Sequence, residues 1–271
     1  MSPKFSWGSW WPPSLLVGPA LPWRAAPAFI IEHPTNGLVA FDLGLSHEVA
    51  ERGEKAIPPP VGWLMESRGR VGFTLEAQMR EDGLSPAAVG HVVVSHLHGD
   101  HTGVAVEFAD AVFLAGSGSR AQLLNDPHSP FDSATTPDWR EIAFETDGTP
   151  VGPFEKAIDL FGDGSILLIA GGSGHTPEDV MALVNLASGA VLLTGDAVVH
   201  FDWLELDDVE RIASDPERAA ATRNRVRAVR DAGGVLIIPG HDLRRLGPAR
   251  IDLVHHHAEL FEPAAWPISN D

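Results

Sequence analysis

Cysteine is absent from the 271 residues, so disulfides, thiolate metal ligands and a cysteine nucleophile are excluded. Tyrosine is absent too, which leaves any active site without a phenol hydroxyl. Lysine occurs only at Lys4, Lys55 and Lys156, and the formal net charge is −18. That balance argues against nucleic acid and anionic membranes as partners, because phosphate is repelled. It also disfavours polyanionic substrates, unless bound cations reverse the field locally. No apolar run reaches the roughly 18 residues needed to span a bilayer. Ala25-Ala26-Pro27-Ala28 has the small residues of a leader cleavage site, yet Pro12, Pro13, Pro19 and Pro22 break the apolar run that a leader requires. The chain therefore reads as cytoplasmic. Its 44% hydrophobic and 21% charged residues are ordinary for a globular protein with a substantial core. Without a tandem repeat or a linker-like stretch, residues 1–271 read as one domain.

What the sequence does have is Ser95-His96-Leu97-His98-Gly99-Asp100-His101-Thr102-Gly103, directly after the apolar run Val92-Val93-Val94. A β-branched run ended by glycine reads as a buried strand leaving into a tight turn. The turn carries three imidazoles and a carboxylate, donors that suit zinc and similar divalent ions. Adjacent Asp100 and His101 are badly placed to share one small ion with His96 and His98. Two neighbouring ions remove that conflict. Further ligands are available at three more strand ends. Ile166 to Ala170 leads to His175, Ala190 to Leu193 to Asp196, and Val235 to Ile238 to His241. Loops on a rigid sheet are where functional side chains concentrate.

Elsewhere, Asn36-Gly37 between two apolar runs predicts a hairpin of Ala28–Glu32 with Leu38–Asp42. Asp42 then either orients a ligand histidine from behind or caps the turn before Gly44. Residues 55–72, with three prolines and Trp63-Leu64-Met65, read as a long loop of the kind that forms lids or subunit contacts. Leu75–Arg80 reads as a helix, and Ser85-Pro86 as a helix start. Residues 125–157 read as loop with short strands. Hairpins are expected across Gly162-Asp163-Gly164 and across Ser188-Gly189. Ser214-Asp215-Pro216 opens the strongest helix, which stops at Gly233-Gly234. The run His255-His256-His257 cannot converge on one ion and reads as surface or tail.

The pattern His-x-His-x-Asp-His at 96–101, with His175, Asp196 and His241 on later strand ends, resembles the metallo-β-lactamase superfamily. Phe29–Gly44, Asp159–Ser165, Gly174–Pro177 and Leu193–Ala197 are most similar to its N-acyl-homoserine lactonase branch. The resemblance implies an α/β fold, an αββα sandwich of two mixed sheets flanked by helices. It implies two divalent ions, zinc first, with iron, manganese or cobalt as alternatives. His96, His98 and His175 would hold one ion, Asp100, His101 and His241 the other, and Asp196 would bridge. The implied reaction is attack of a metal-bound hydroxide on a lactone or ester carbonyl, with Asp100 helping to move the proton. The resemblance thus extends to a quorum-quenching lactonase.

Two positions depart from the branch. Val199 stands three residues after Asp196, where the branch carries tyrosine, and His200 next door is the candidate catalytic replacement. Glu178 stands where the branch has glycine. A glyoxalase II-like thioesterase and a promiscuous esterase or phosphotriesterase remain open on the same centre, and a di-iron redox protein fits less well. The expected partner is a small lactone or ester, with no nucleic acid or membrane and with room for a homodimer.

Overall fold

The computed structural model describes residues 8–10, 24–59, 66–67, 71–126, 129, 131, 136–172, 174–205 and 213–242. Strands β1 (Gly8–Trp10), β2 (Arg24–Ala25) and β5 (Glu66–Ser67) form a small antiparallel sheet in the order β2-β1-β5. Two larger sheets make the body. The first has five strands, β3 (Phe29–His33), β4 (Gly37–Phe41), β6 (Val89–Val93), β7 (Val112–Ala115) and β8 (Asp138–Glu141), in that order. Only the β3–β4 hairpin is antiparallel; β4, β6, β7 and β8 run parallel. The second sheet has six strands, in the order β14-β13-β12-β11-β10-β9. These are β9 (Thr149–Val151), β10 (Phe154–Asp159), β11 (Ile166–Ala170), β12 (Val180–Leu186), β13 (Gly189–Leu193) and β14 (Val235–Ile238). It is antiparallel apart from the β13–β14 pair.

The sheets stack because their strands alternate two apolar faces with period two. Val93 and Phe41 point inward against Leu168, Val180, Ala182 and Val184 of the second sheet. Their neighbours Val92, Val94 and Ala40 point outward, against Met79, Phe108 and Phe113. On the far side, Met181, Leu183 and Ile169 pack on Val226 and Val229. Helices α1 (His47–Arg52), α2 (Leu75–Glu81), α3 (Ser119–Asn125), α4 (Phe144–Asp147) and α5 (Pro216–Ala232) complete the layers. This is the αββα sandwich expected from the resemblance. None of the described helices is long and apolar enough to cross a membrane.

The local signals hold at several points. The Asp215 carboxylate accepts the Arg218 N–H at the start of α5, and Gly233 ends that helix. Both hairpins of the second sheet form, with Leu186 paired to Gly189 across the tighter one. The helix start at Ser85-Pro86 yields only a 3₁₀ turn, Pro86–Ala88, without a side-chain cap, because the β-branched run of β6 begins at once. The stretch from Gly195 to Glu205 is two 3₁₀ turns, so strand alternation does not decide where His200 points. Of the expected loop 55–72, residues 60–65 and 68–70 lie outside the described residues, as does His255-His256-His257.

Candidate dinuclear metal centre

Strand β6 delivers the first ligands. After Val93 the chain turns through Ser95 and His96, and the Ser95 carbonyl accepts the Val180 N–H at 2.8 Å, tying the two sheets together there. Gly103, which closes the loop, lies so close to the backbone of Leu45 and Ser46 that a Cβ would collide with both. His175 follows β11, Asp196 follows β13 and His241 follows β14. Each strand ends at the same edge of the sandwich, so the side chains converge.

They converge in two groups whose ligand atoms lie within 4.8 Å of one another: His96, His98, His175 and Asp196, and Asp100, His101 and His241. In the first, His98 Nδ1 is 2.8 Å from His96 Nε2 and 3.3 Å from His175 Nε2. In the second, His241 Nε2 is 3.5 Å and His101 Nε2 3.9 Å from Asp100 Oδ2. Asp196 faces both. Its Oδ2 lies 3.4 Å from His175 Nε2 and 3.1 Å from His241 Nε2, and its Oδ1 lies 3.6 Å from His101 Nε2. The seven residues expected from the spacing are thus brought together.

Neighbouring groups fix which nitrogen faces inward. Asp42 Oδ2 accepts from His101 Nδ1 at 2.8 Å, which leaves Nε2 free for an ion. The same carboxylate accepts the Ser95 N–H at 2.7 Å and the Ser95 hydroxyl at 2.8 Å. Asp42 reaches this position with φ 56°, a left-handed conformation that aspartate tolerates better than most side chains. His241 Nδ1 donates to the Ala25 carbonyl, again leaving Nε2 for the centre. Asp179 holds the His175 turn. Its carboxylate accepts the N–H groups of Gly174, His175 and Thr176 and the Thr176 hydroxyl. Burial nevertheless raises its pKa to about 6 against these bonds. Asp42 was legible as the last residue of a strand before glycine; Asp179 and the Ala25 carbonyl were not anticipated.

The electrostatics match a cation site. Burial, followed by the neighbouring His101 and His98, pushes His96 well below the ordinary imidazole pKa, so it stands as a neutral ligand. Burial also lowers His98. Asp196 is held well below the carboxylate range, because burial, which alone would raise it, is outweighed by His241 and His101. His101 is driven up to about 10: burial opposes this, but Asp42, Asp100 and Asp196 surround it. Two buried atoms in the middle of the cluster, His101 Nε2 and Asp196 Oδ1, have no hydrogen-bond partner among the described residues. Unsatisfied buried donors and acceptors are costly. Nitrogen and oxygen donors aimed at one space fit divalent ions there.

His200 is buried beside this cluster. Its Nε2 lies 3.1 Å from Asp242 Oδ2, and its Nδ1 accepts the Asp202 N–H at 3.3 Å. Val199 is 1% exposed, and Glu178 is buried with Oε1 unpartnered among the described residues.

Comparison with known proteins agrees with this geometry. An N-acyl homoserine lactonase AttM from Azorhizobium caulinodans is 30% identical over 236 residues, covering 80% of this chain and 81% of that one. Its counterpart from Rhizobium johnstonii is 29% identical over 231 residues, with the same coverage. Among solved structures, an AiiA variant from B. thuringiensis with N-decanoyl-L-homoserine bound superposes with a TM-score of 0.70 at 18% identity, over 89% of this chain and 92% of that one. Residues 22–241 match the profile of the metallo-beta-lactamase superfamily. With the sandwich and the convergent ligands already in place, that match settles the family: the chain belongs to the metallo-beta-lactamase superfamily.

Proposed function

We propose that the protein is a dinuclear metal-dependent hydrolase that opens lactones and cleaves related small esters. The observation that carries this reading is Asp196, whose two carboxylate oxygens face His175 and His241 on one side and His101 on the other. Zinc is the proposed metal, on the strength of three imidazoles in one group and two imidazoles with a carboxylate in the other. When bound, two such ions activate water at neutral pH and polarise a carbonyl. The chain supplies the rest. His96, His98 and His175 would hold one ion and Asp100, His101 and His241 the other, with the Asp196 carboxylate facing both groups. Asp42 and the Ala25 carbonyl take the Nδ1 protons of His101 and His241, so that Nε2 of each faces inward, and His101 would give up its Nε2 proton on binding an ion. Asp100 is only partly buried, and its pKa is lowered. Burial opposes that shift, and His101 and His241 overcome it. Its ionised carboxylate is placed to take a proton from the attacking water and return it to the leaving alkoxide.

The relatives named as N-acyl homoserine lactonases support a lactone as substrate. Val199 offers no donor to the substrate carbonyl, which favours a wider range of lactones and activated esters over one acyl-homoserine lactone. The test is a panel of acyl-homoserine lactones of increasing chain length, simple lactones, aryl esters and a glutathione thioester. Turnover of lactones and esters without a steep chain-length optimum supports the reading. Turnover of the thioester alone would replace it with a glyoxalase II-like activity.

A further inference from the structure

We propose that His200 is a positioning residue: its buried 3.1 Å contact with Asp242 clamps the His241 ligand loop onto the loop that carries Asp196. This inference rests on the dinuclear reading above and assigns His200 a role other than donor to the substrate.

The Asp202 N–H donates to His200 Nδ1, so the ring proton sits on Nε2, which lies 3.1 Å from Asp242 Oδ2. The Asp202 carboxylate is 3.7 Å from Nδ1, too long for a hydrogen bond. Asp242 Oδ2 also accepts the Phe201 N–H at 3.1 Å. The Asp242 side chain has no exposure, and that of His200 has 5%. A buried carboxylate has to be met by donors, so this pair is fixed as a unit. With Nδ1 accepting a backbone N–H and Nε2 set against a buried carboxylate, the ring faces the loop.

Asp242 is peptide-bonded to the ligand His241, and His200 follows the 3₁₀ turn Gly195–Val198 that carries Asp196. Two backbone bonds zip the same segments together, Gly240 N–H to the Val198 carbonyl at 3.0 Å and His241 N–H to the Val199 carbonyl at 2.9 Å. A Cβ at Gly240 would overlap the Asp196 carboxylate and the Gly195 carbonyl, so the two loops touch at van der Waals distance. A ring of contacts results. It runs from Asp196 Oδ2 to His241 Nε2, along the backbone to Asp242, across to His200 and back along the turn. Opening the ring loosens the segment that carries His241, a ligand of the Asp100–His101 group, while the Ala25 carbonyl and the two backbone bonds still hold it. His96, His98 and His175 are held from other strands.

The experiment titrates cobalt(II) into chelator-stripped full-length parent, His200→Ala, His200→Asn and His200→Gln, following the visible absorption of each bound ion. Gln places a donor near the Nε2 position, whereas Asn is too short to reach Asp242. Outer partners of ligands typically tune metal affinity by about 10–100-fold. The expected result is two binding phases in the parent. The weaker or His241-side phase is lost or weakened by about 10–100-fold in Ala and Asn, while the other phase is unchanged and Gln lies within a few-fold of the parent. If Ala does not fold, the comparison of Asn with Gln carries the test. Parent-like binding of both ions in Ala or Asn, equal weakening of both phases, or a Gln variant as weak as Asn would overturn the clamp. A parent with a single phase would instead overturn the dinuclear reading on which the clamp rests.

Discussion

Asp42 Oδ2 and His101 Nδ1 meet at 2.8 Å across 59 residues of sequence, and the same carboxylate takes both the N–H and the hydroxyl of Ser95. One buried side chain thereby orients a ligand and pins the turn that carries the others. Asp42→Ala leaves the Ser95 donors and the His101 N–H without their acceptor. Each unsatisfied buried group costs about 1–3 kcal/mol. We expect a clear fall in melting temperature together with a metal affinity lowered by about 10–100-fold. Thermal unfolding with and without added zinc checks both. A variant that unfolds like the parent and retains its ions would contradict this role.

Asp196→Ala removes the one carboxylate shared by the two ligand groups. The loss of activity is expected to exceed the about 10–100-fold typical of a residue behind the ligands. His255→Ala, in the run that cannot converge on an ion, is expected to leave kcat/KM near the parent value. Steady-state kinetics on one lactone compares the two. Equal losses would place the reaction elsewhere in the molecule.

Glycine substitutions separate close packing from open space. Gly240→Ala pushes a methyl group into the Asp196 carboxylate and the Gly195 carbonyl, backbone that cannot give way cheaply. Destabilisation of about 1–3 kcal/mol is expected, with loss of bound metal. At Gly99, between His98 and Asp100, a Cβ meets nothing within 4 Å. Gly99→Ala is therefore expected to change stability by less than about 0.5 kcal/mol. Denaturant unfolding of the two variants reads the contrast directly.

Asp179→Asn turns one of two accepting oxygens into a donor facing N–H groups that already donate. The His175 turn loses at least one hydrogen bond and gains a repulsive contact, at a cost of about 1–3 kcal/mol. A lower melting temperature and faster release of metal to a chelator are the expected readouts. Unchanged release would show that other contacts hold His175 in place.

Much of the site was legible because metal ligation imposes a local pattern. His96, His98, Asp100 and His101 fall within six residues, and His175, Asp196 and His241 each follow an apolar strand and a glycine. Asp42 stood out for the same reason, as the polar end of a buried strand. The main strands were legible as continuous apolar runs ended by turn residues, and α5 through its Asp-Pro start and glycine stop. What was hidden depends on tertiary approach. The Ala25 carbonyl reaches His241 across 216 residues, and no pattern in either segment marks the pair. Asp179 looks like a loop residue until its turn folds back on it. His200 drew attention as a neighbour of Val199, but its partner Asp242 becomes visible only when the β13 and β14 loops lie side by side. Helices α1 and α3 span six and seven residues, too short for an apolar period to show.

In a dinuclear hydrolase, turnover follows the bound metal. The deciding measurement is metal content and lactone turnover on the same preparations, as isolated, stripped with chelator, and reloaded with zinc in steps. About two ions per chain, with turnover lost on stripping and recovered as the second ion binds, is the predicted result. Full turnover in protein stripped to a negligible metal content, or full recovery at one ion per chain, would contradict it.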